Sequence, residues 1–132
     1  MIRGLDTNVL VRYLTQDEPG EARKANAVIE GTLAKGGSCY LSIVVLCEIV
    51  WVLRGAYRLG KKSILLALDR ILETEGFRVE DQDLVREALE EFRLGRGDFA
   101  DYAIGARNRA AGCEDTVTFD RSLKGSGLFA VI

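Results

Sequence analysis

Met1-Ile2-Arg3-Gly4-Leu5-Asp6-Thr7-Asn8-Val9-Leu10-Val11-Arg12-Tyr13-Leu14 opens the chain and sets the pattern for the rest. A short apolar start ends at Leu5 and reads as a strand. Asp6-Thr7-Asn8 breaks it, and Val9, Leu10, Tyr13 and Leu14 follow at helical spacing, so a helix is expected from about Asn8. The exchange of a short apolar run for a longer amphipathic one repeats downstream. Asp17-Glu18-Pro19-Gly20 is a turn whose proline suits a helix start. Residues 21–34 then carry a stripe of Ala22, Ala25, Val28, Ile29 and Leu33, which Gly36-Gly37 stops. Cys39-Tyr40-Leu41 reads as a buried strand. Residues 43–57 are apolar on nearly every side and are expected to form a central helix. Residues 61–75 give another helix, striped by Ile64, Leu65, Leu68, Ile71 and Leu72, and Phe77-Arg78-Val79 alternates like a strand. Residues 84–94 are helical again, and Arg96-Gly97-Asp98 opens a helix to about Ala111, where Gly112 fits its stop. Thr116-Val117-Thr118 and Leu128-Phe129-Ala130-Val131 read as the last strands. Short strands alternating with longer helices argue an α/β fold with a mainly parallel sheet.

The 132 residues fit one domain, expected to be residues 1–132 as a single unit. An apolar share of 48% and a charged share of 29% exclude a disordered chain. The balance of 18 basic and 20 acidic residues excludes a strongly basic, coat-like binder of nucleic acid, while leaving room for a local basic patch. Histidine is absent, which removes Ser-His-Asp and Cys-His catalysis and imidazole-dependent zinc sites. Cys39, Cys47 and Cys113 are odd in number and set among apolar neighbours, so they read as reduced core thiols. The N-terminus has no signal-like apolar core. The most apolar run, residues 41–53, is too short to span a bilayer and carries Glu48. A soluble cytoplasmic protein with no membrane role is expected.

In parallel α/β sheets ligands bind beyond the carboxyl ends of the strands. Asp6 follows the first strand and Asp120 follows the strand at 116–118. Glu48 lies on the apolar helix, and Asp98 and Asp101 open the helix before the last strands. Packing of these segments would gather the acids. Each also has a plainer explanation. Asp6 and Asp98 can cap helices, with Asp101 near the third helical position. Asp120 can be a turn residue in Phe119-Asp120-Arg121-Ser122. Glu48, flanked by Val44, Val45, Trp51 and Val52, is expected to be buried, and a buried carboxylate must be protonated or have a partner, either an arginine such as Arg54 or Arg58 or a metal. Several carboxylates without imidazole make a hard-oxygen set suited to Mg²⁺ or Mn²⁺. Such acids repel one another and hold protons more tightly unless a cation is present, and the usual task of such a site is phosphate-ester chemistry. Two other readings stand beside this one. Asp6-Thr7-Asn8 after a first strand resembles the start of an aspartyl-nucleophile phosphatase motif, although Asn8 stands where a second Asp belongs. A non-catalytic partner-binding module is the other. Neither Gly95-Arg96-Gly97 nor Gly125-Ser126-Gly127 forms a dinucleotide-binding glycine pattern.

Four segments carry a family resemblance: Leu5-Asp6-Thr7-Asn8-Val9-Leu10; Leu41-Ser42-Ile43-Val44-Val45-Leu46-Cys47-Glu48-Ile49-Val50-Trp51-Val52-Leu53; Gly97-Asp98-Phe99-Ala100-Asp101-Tyr102-Ala103-Ile104; and Val117-Thr118-Phe119-Asp120-Arg121-Ser122-Leu123. In order and spacing, over essentially the whole chain, they resemble the PIN-domain ribonucleases of the VapC toxin type. The resemblance implies a three-layer α/β/α sandwich with a mainly parallel central sheet, often forming a homodimer. It implies a Mg²⁺- or Mn²⁺-dependent enzyme that cuts single-stranded RNA, and a cognate VapB-like antitoxin whose tail blocks the site. Asp6, Glu48, Asp101 and Asp120 match the acidic quartet, and Asp98 matches a further acid of many members. Asn8 and Thr118 match polar residues that line the pocket and orient the metal ligands. In this scheme Asp6, Glu48 and Asp101 hold one ion, with Asp120 helping through water or a second ion. Arg54, Arg58, Lys61, Lys62, Arg96 and Arg107 are candidates to meet the RNA backbone. Gly105-Ala106-Arg107 departs from the small apolar residues more usual there, which bears on substrate contacts and not on the acids.

Overall fold

Three short parallel strands, β1 (Ile2–Gly4), β2 (Ser38–Leu41) and β3 (Phe77–Val79), lie in the order β1-β2-β3. Helices α1 (Thr7–Thr15) and α2 (Pro19–Ala34) connect the first two strands, and α3 (Ile43–Gly55) and α4 (Lys61–Glu73) connect the second and third. The computed structural model describes residues 1–132 and divides them into two compact units, Met1–Glu80 and Asp81–Ile132. The second unit holds α5 (Gln82–Leu94), α6 (Phe99–Ala110), and the parallel pair β4 (Thr116–Thr118) and β5 (Phe129–Val131), with a 3-10 turn at Arg121–Leu123. The α/β class with parallel strands is as the alternation of elements implied. No helix is long and apolar enough to cross a membrane.

Local chemistry accounts for the boundaries. Pro19 occupies the first turn of α2, where a missing N–H does no harm, and the Glu18 carboxylate accepts from the N–H groups of Gly20 and Glu21. Ser42 caps α3 by accepting from Val45 N at 3.2 Å, and the Glu80 carboxylate just past β3 accepts from Ile43 N at 2.9 Å. The start of α3 is thereby tied to the carboxyl ends of both β2 and β3.

The core of the first unit is built from Leu10 and Val11 of α1, Ala22, Ala25 and Ile29 of α2, Cys39 and Leu41 of β2, and Ile64, Leu68 and Ile71 of α4. Val28, placed on the apolar stripe by sequence, is exposed, because the alanines turn α2 so that Ile29 and not Val28 faces inward. Helix α3 is not apolar-packed all round either. Leu46, Ile49, Val50 and Leu53 are buried, whereas Val44 and Trp51 are 67% and 52% exposed. In the second unit α5 buries Val85, Ala88, Leu89 and Phe92 against α6, and Phe92 meets Phe99 edge-on with ring centres 6.2 Å apart. None of the three cysteines forms a disulfide. Cys39 is buried, with its thiol pKa raised by desolvation, but Cys113 is exposed, so the expectation of three core thiols holds for only part of the set.

A polar network joins α1, α2 and the segment after α3. Arg12 Nε donates to Glu21 at 2.6 Å and Nη1 donates to the Tyr57 hydroxyl at 3.0 Å. The Tyr57 hydroxyl donates to Asp17 Oδ2 at 2.8 Å, and the Thr15 hydroxyl donates to Asp17 Oδ1 at 2.7 Å. The hydroxyls of Thr15 and Tyr57 hold the Asp17 carboxyl below its ordinary value of 3.8.

Two predictions follow from this packing. Ile29→Ala is expected to lower stability by ~2–5 kcal/mol in urea unfolding, and Val28→Ala by less than ~0.5 kcal/mol. Comparable losses would show that the helix face is misassigned. For Asp17, the folded state favours the ionised form. Its stabilising contribution is therefore complete above the ordinary carboxylate value and fades as pH falls through the lower folded-state value. Asp17→Asn should flatten the acid limb of the stability–pH curve and leave its slope near neutrality unchanged.

Candidate functional site

Asp6 caps α1, and its Oδ1 accepts from Thr7 N at 2.8 Å. Thr7 is only 7% exposed, and its hydroxyl donates to Glu48 Oε1 at 2.8 Å. Thr7 therefore holds two acids distant in sequence, Asp6 through its N–H and Glu48 through its hydroxyl. Neither carboxylate's second oxygen has a hydrogen-bond partner in the chain. Glu48 departs from expectation in one respect. It is exposed, and neither Arg54 nor Arg58 engages it. Residues 44, 48 and 51 fall on one helical face, which is the open side of α3, so desolvation does not constrain Glu48. Asn8 is exposed one residue beyond Thr7 and lines a cavity of about 330 Å³ with Arg3 and Arg12.

In the second unit Asp98 caps α6 by accepting from Phe99 N at 2.8 Å, and Asp101 Oδ2 accepts from Asp98 N at 2.9 Å. The capping explanation for both residues is thus realised as a reciprocal capping box. Capping engages one oxygen of Asp101 and leaves the other without a partner. Asp120 opens the 3-10 turn. Its Oδ1 accepts from Ser122 N at 2.9 Å, and its own N–H donates to the Thr118 hydroxyl at 3.0 Å. The Ser122 hydroxyl and N–H lower the Asp120 pKa below the ordinary 3.8, opposite to the rise expected of acids crowded without a cation. No hydrogen bond joins Asp120 to Asp98 or Asp101.

The structure thus pairs Asp6 with Glu48 and Asp98 with Asp101, and it places Thr118 directly behind Asp120. Within neither unit do three or more Asp, Glu or Cys side chains gather closely enough to hold a metal ion. The donors present still suit one chemical class. They are carboxylates with one oxygen fixed by the chain, and Mg²⁺ characteristically binds through one or two carboxylates while keeping several waters. Thr7 is the site residue the sequence reading passed over. It lay inside the Asp6-Thr7-Asn8 motif, but its contact is with a residue 41 positions away. Among the cations singled out for RNA, Arg107 donates to Asp81 Oδ2 at 2.7 Å, so the departure at Gly105-Ala106-Arg107 has a structural partner.

A VapC ribonuclease from Aquifex aeolicus (strain VF5) is 28% identical over 130 residues, covering 96% of this chain and 93% of that protein. No solved structure gives a significant match. The PIN domain family model matches residues 5–125, a span that takes in Asp6, Glu48, Asp98, Asp101 and Asp120 and runs through both units. The chain belongs to the PIN domain family.

Proposed function

We propose that this chain is a divalent-metal-dependent endoribonuclease that cuts single-stranded RNA, the toxin of a type II toxin–antitoxin pair. The observation that carries the reading is the Thr7 link, which turns Glu48 of α3 toward Asp6 at the end of β1. Membership of the PIN domain family supports it, as does the likeness to a protein named VapC ribonuclease. Residues 1–132 act as one PIN domain in this proposal.

Asp6, Glu48, Asp101 and Asp120, with Asp98 beside Asp101, are the proposed holders of Mg²⁺ or Mn²⁺. A divalent ion bound there supplies an activated water and neutralises charge on the phosphate. The chain's own groups do the positioning. Thr7 fixes one oxygen each of Asp6 and Glu48, so their second oxygens remain available as ligands. The Asp98 N–H does the same for Asp101, and Ser122 does it for Asp120. Thr118 accepts from the Asp120 N–H and so sets the turn on which that acid stands. Asn8, exposed at the start of α1, orients ligands by hydrogen bonding. The proposed partners are the RNA substrate, a VapB-like antitoxin whose tail covers the acids, and a second copy of the chain.

Three outcomes are expected from cleavage of defined single-stranded RNAs with and without Mg²⁺ or Mn²⁺. Wild-type protein cuts only with metal. Asp6→Asn, folded as judged by circular dichroism, is slower by about 10²-fold or more, since removal of a metal ligand forfeits several kcal/mol of charge stabilisation. Asp6→Asn cutting at the wild-type rate would sink the proposal. Thr7→Val keeps the shape of the side chain but loses the bond to Glu48. It should reduce metal affinity or activity by about 10–100-fold, whereas Thr7→Ser retains most of both. Titration of Mn²⁺ by calorimetry separates a loss of affinity from a loss of rate.

A further inference from the structure

The second unit contains a cavity of about 370 Å³ that the acid site does not use, lined by Glu91, Leu94, Arg96, Tyr102, Ser122 and Lys124 among others. Its volume falls within the usual range for small-molecule sites. Gly95 and Gly97 bracket Arg96 and also explain the glycine motif left over from the sequence. A Cβ at Gly95 would run into the Tyr102 hydroxyl, and one at Gly97 into Leu123, so only glycines let the chain fold closely over the ring. The result is Arg96 held outward at the rim, with Lys124 as the second cation there. Both are exposed, and neither side chain is engaged by an acceptor within the protein.

The interior is polar in a specific way. Tyr102 is 1% exposed, and its hydroxyl accepts from Gly97 N at 2.9 Å. The hydroxyl proton has no acceptor in the chain, so a buried donor remains unused in the cavity wall. Across the wall, Glu91 Oε1 accepts from the Ser126 hydroxyl at 2.9 Å, and its other oxygen has no partner. The cavity therefore offers one donor and one anionic acceptor, beneath two cations and beside Leu94, which is 81% exposed. It also shares Ser122 with the Asp120 turn, and Gly97 precedes Asp98 directly.

We propose that this cavity is a nucleotide-binding subsite, with Arg96 and Lys124 holding backbone phosphates and Glu91 and Tyr102 reading the edge of one splayed base. It rests on the ribonuclease reading above and deepens it by naming where sequence preference arises. Free phosphates match paired rim cations, and single-stranded RNA is read through unstacked bases hydrogen-bonded at their edges. A carboxylate accepts from amino groups, so a base with an exocyclic amino group is favoured over uracil.

Two measurements test it. The first is binding of a fluorescent 2′-O-methyl single-stranded oligonucleotide in metal-free buffer. Arg96→Ala/Lys124→Ala should weaken it about tenfold and lower the salt slope by about 1.4, roughly 0.7 for each phosphate lost. The charge-matched control Arg23→Ala/Lys35→Ala should leave it near wild type. The second is sequencing of the ends released from a randomised single-stranded RNA pool. Glu91→Gln and Tyr102→Phe, which keep the Ser126 bond and the ring respectively, should change base preference at one position fixed relative to the cut. Wild-type binding and salt slope in the double variant, or unaltered preference in both single variants, overturns the subsite. Metal-dependent cleavage with wild-type preference in every variant removes the subsite alone. Weakened binding in the double variant without any cleavage by wild type removes the nuclease reading and leaves the subsite standing.

Discussion

Four of the five candidate acids are held by a backbone N–H at or near the start of a helical segment, and Glu48 is held by the Thr7 hydroxyl. Asp6 binds the first N–H of α1, Asp98 and Asp101 share the start of α6, and Asp120 opens the 3-10 turn. This satisfies donors that a helix must leave unpaired at its beginning, and it places anions at the positive end of the peptide dipoles. The same bonds fix the carboxylates in orientation while using one oxygen of each. In the proposed function the same side chains serve fold and chemistry, with Asp6 and Asp101 each keeping one oxygen outside these bonds. Under that proposal, capping a helix and holding a metal are not exclusive roles at these positions.

The order of elements was legible because it depends on local periodicity. Helix α4 and strand β3 begin where alternation and stripe place them, and the Pro19 and Gly36-Gly37 signals bound α2 correctly. Boundaries slipped where polar residues carry no periodic signal. Helix α5 begins at Gln82 and not at Leu84, since its first turn is Gln82-Asp83. The 3-10 turn at Arg121–Leu123 was read only as a turn, because three residues hold no periodicity at all.

The site was legible in its acids and not in its supports. Strand ends and helix starts are marked by the residues that break a pattern, and Asp6, Asp98 and Asp120 break it visibly. The part played by Thr7 comes from a contact across 41 residues that no local pattern encodes. Glu48 was expected to be buried because its neighbours at one helical turn are apolar. That inference assumed apolar residues are always inside, whereas Val44 and Trp51 lie on the open side of α3. The metal role proposed for Glu48 does not depend on burial, because its hydrogen bond to Thr7 orients the carboxylate. The Arg12–Glu21–Tyr57–Asp17 network was equally hidden, because its members come from α1, α2 and the segment after α3.

Trp51 is the chain's sole tryptophan, half open to solvent and one helical turn beyond Glu48 on the same face of α3. Side chains three positions apart on a helix are neighbours at ~5–6 Å. The indole's emission should consequently respond to any change of charge or hydration at that carboxylate, which makes the unlabelled protein its own optical gauge of what occupies the face.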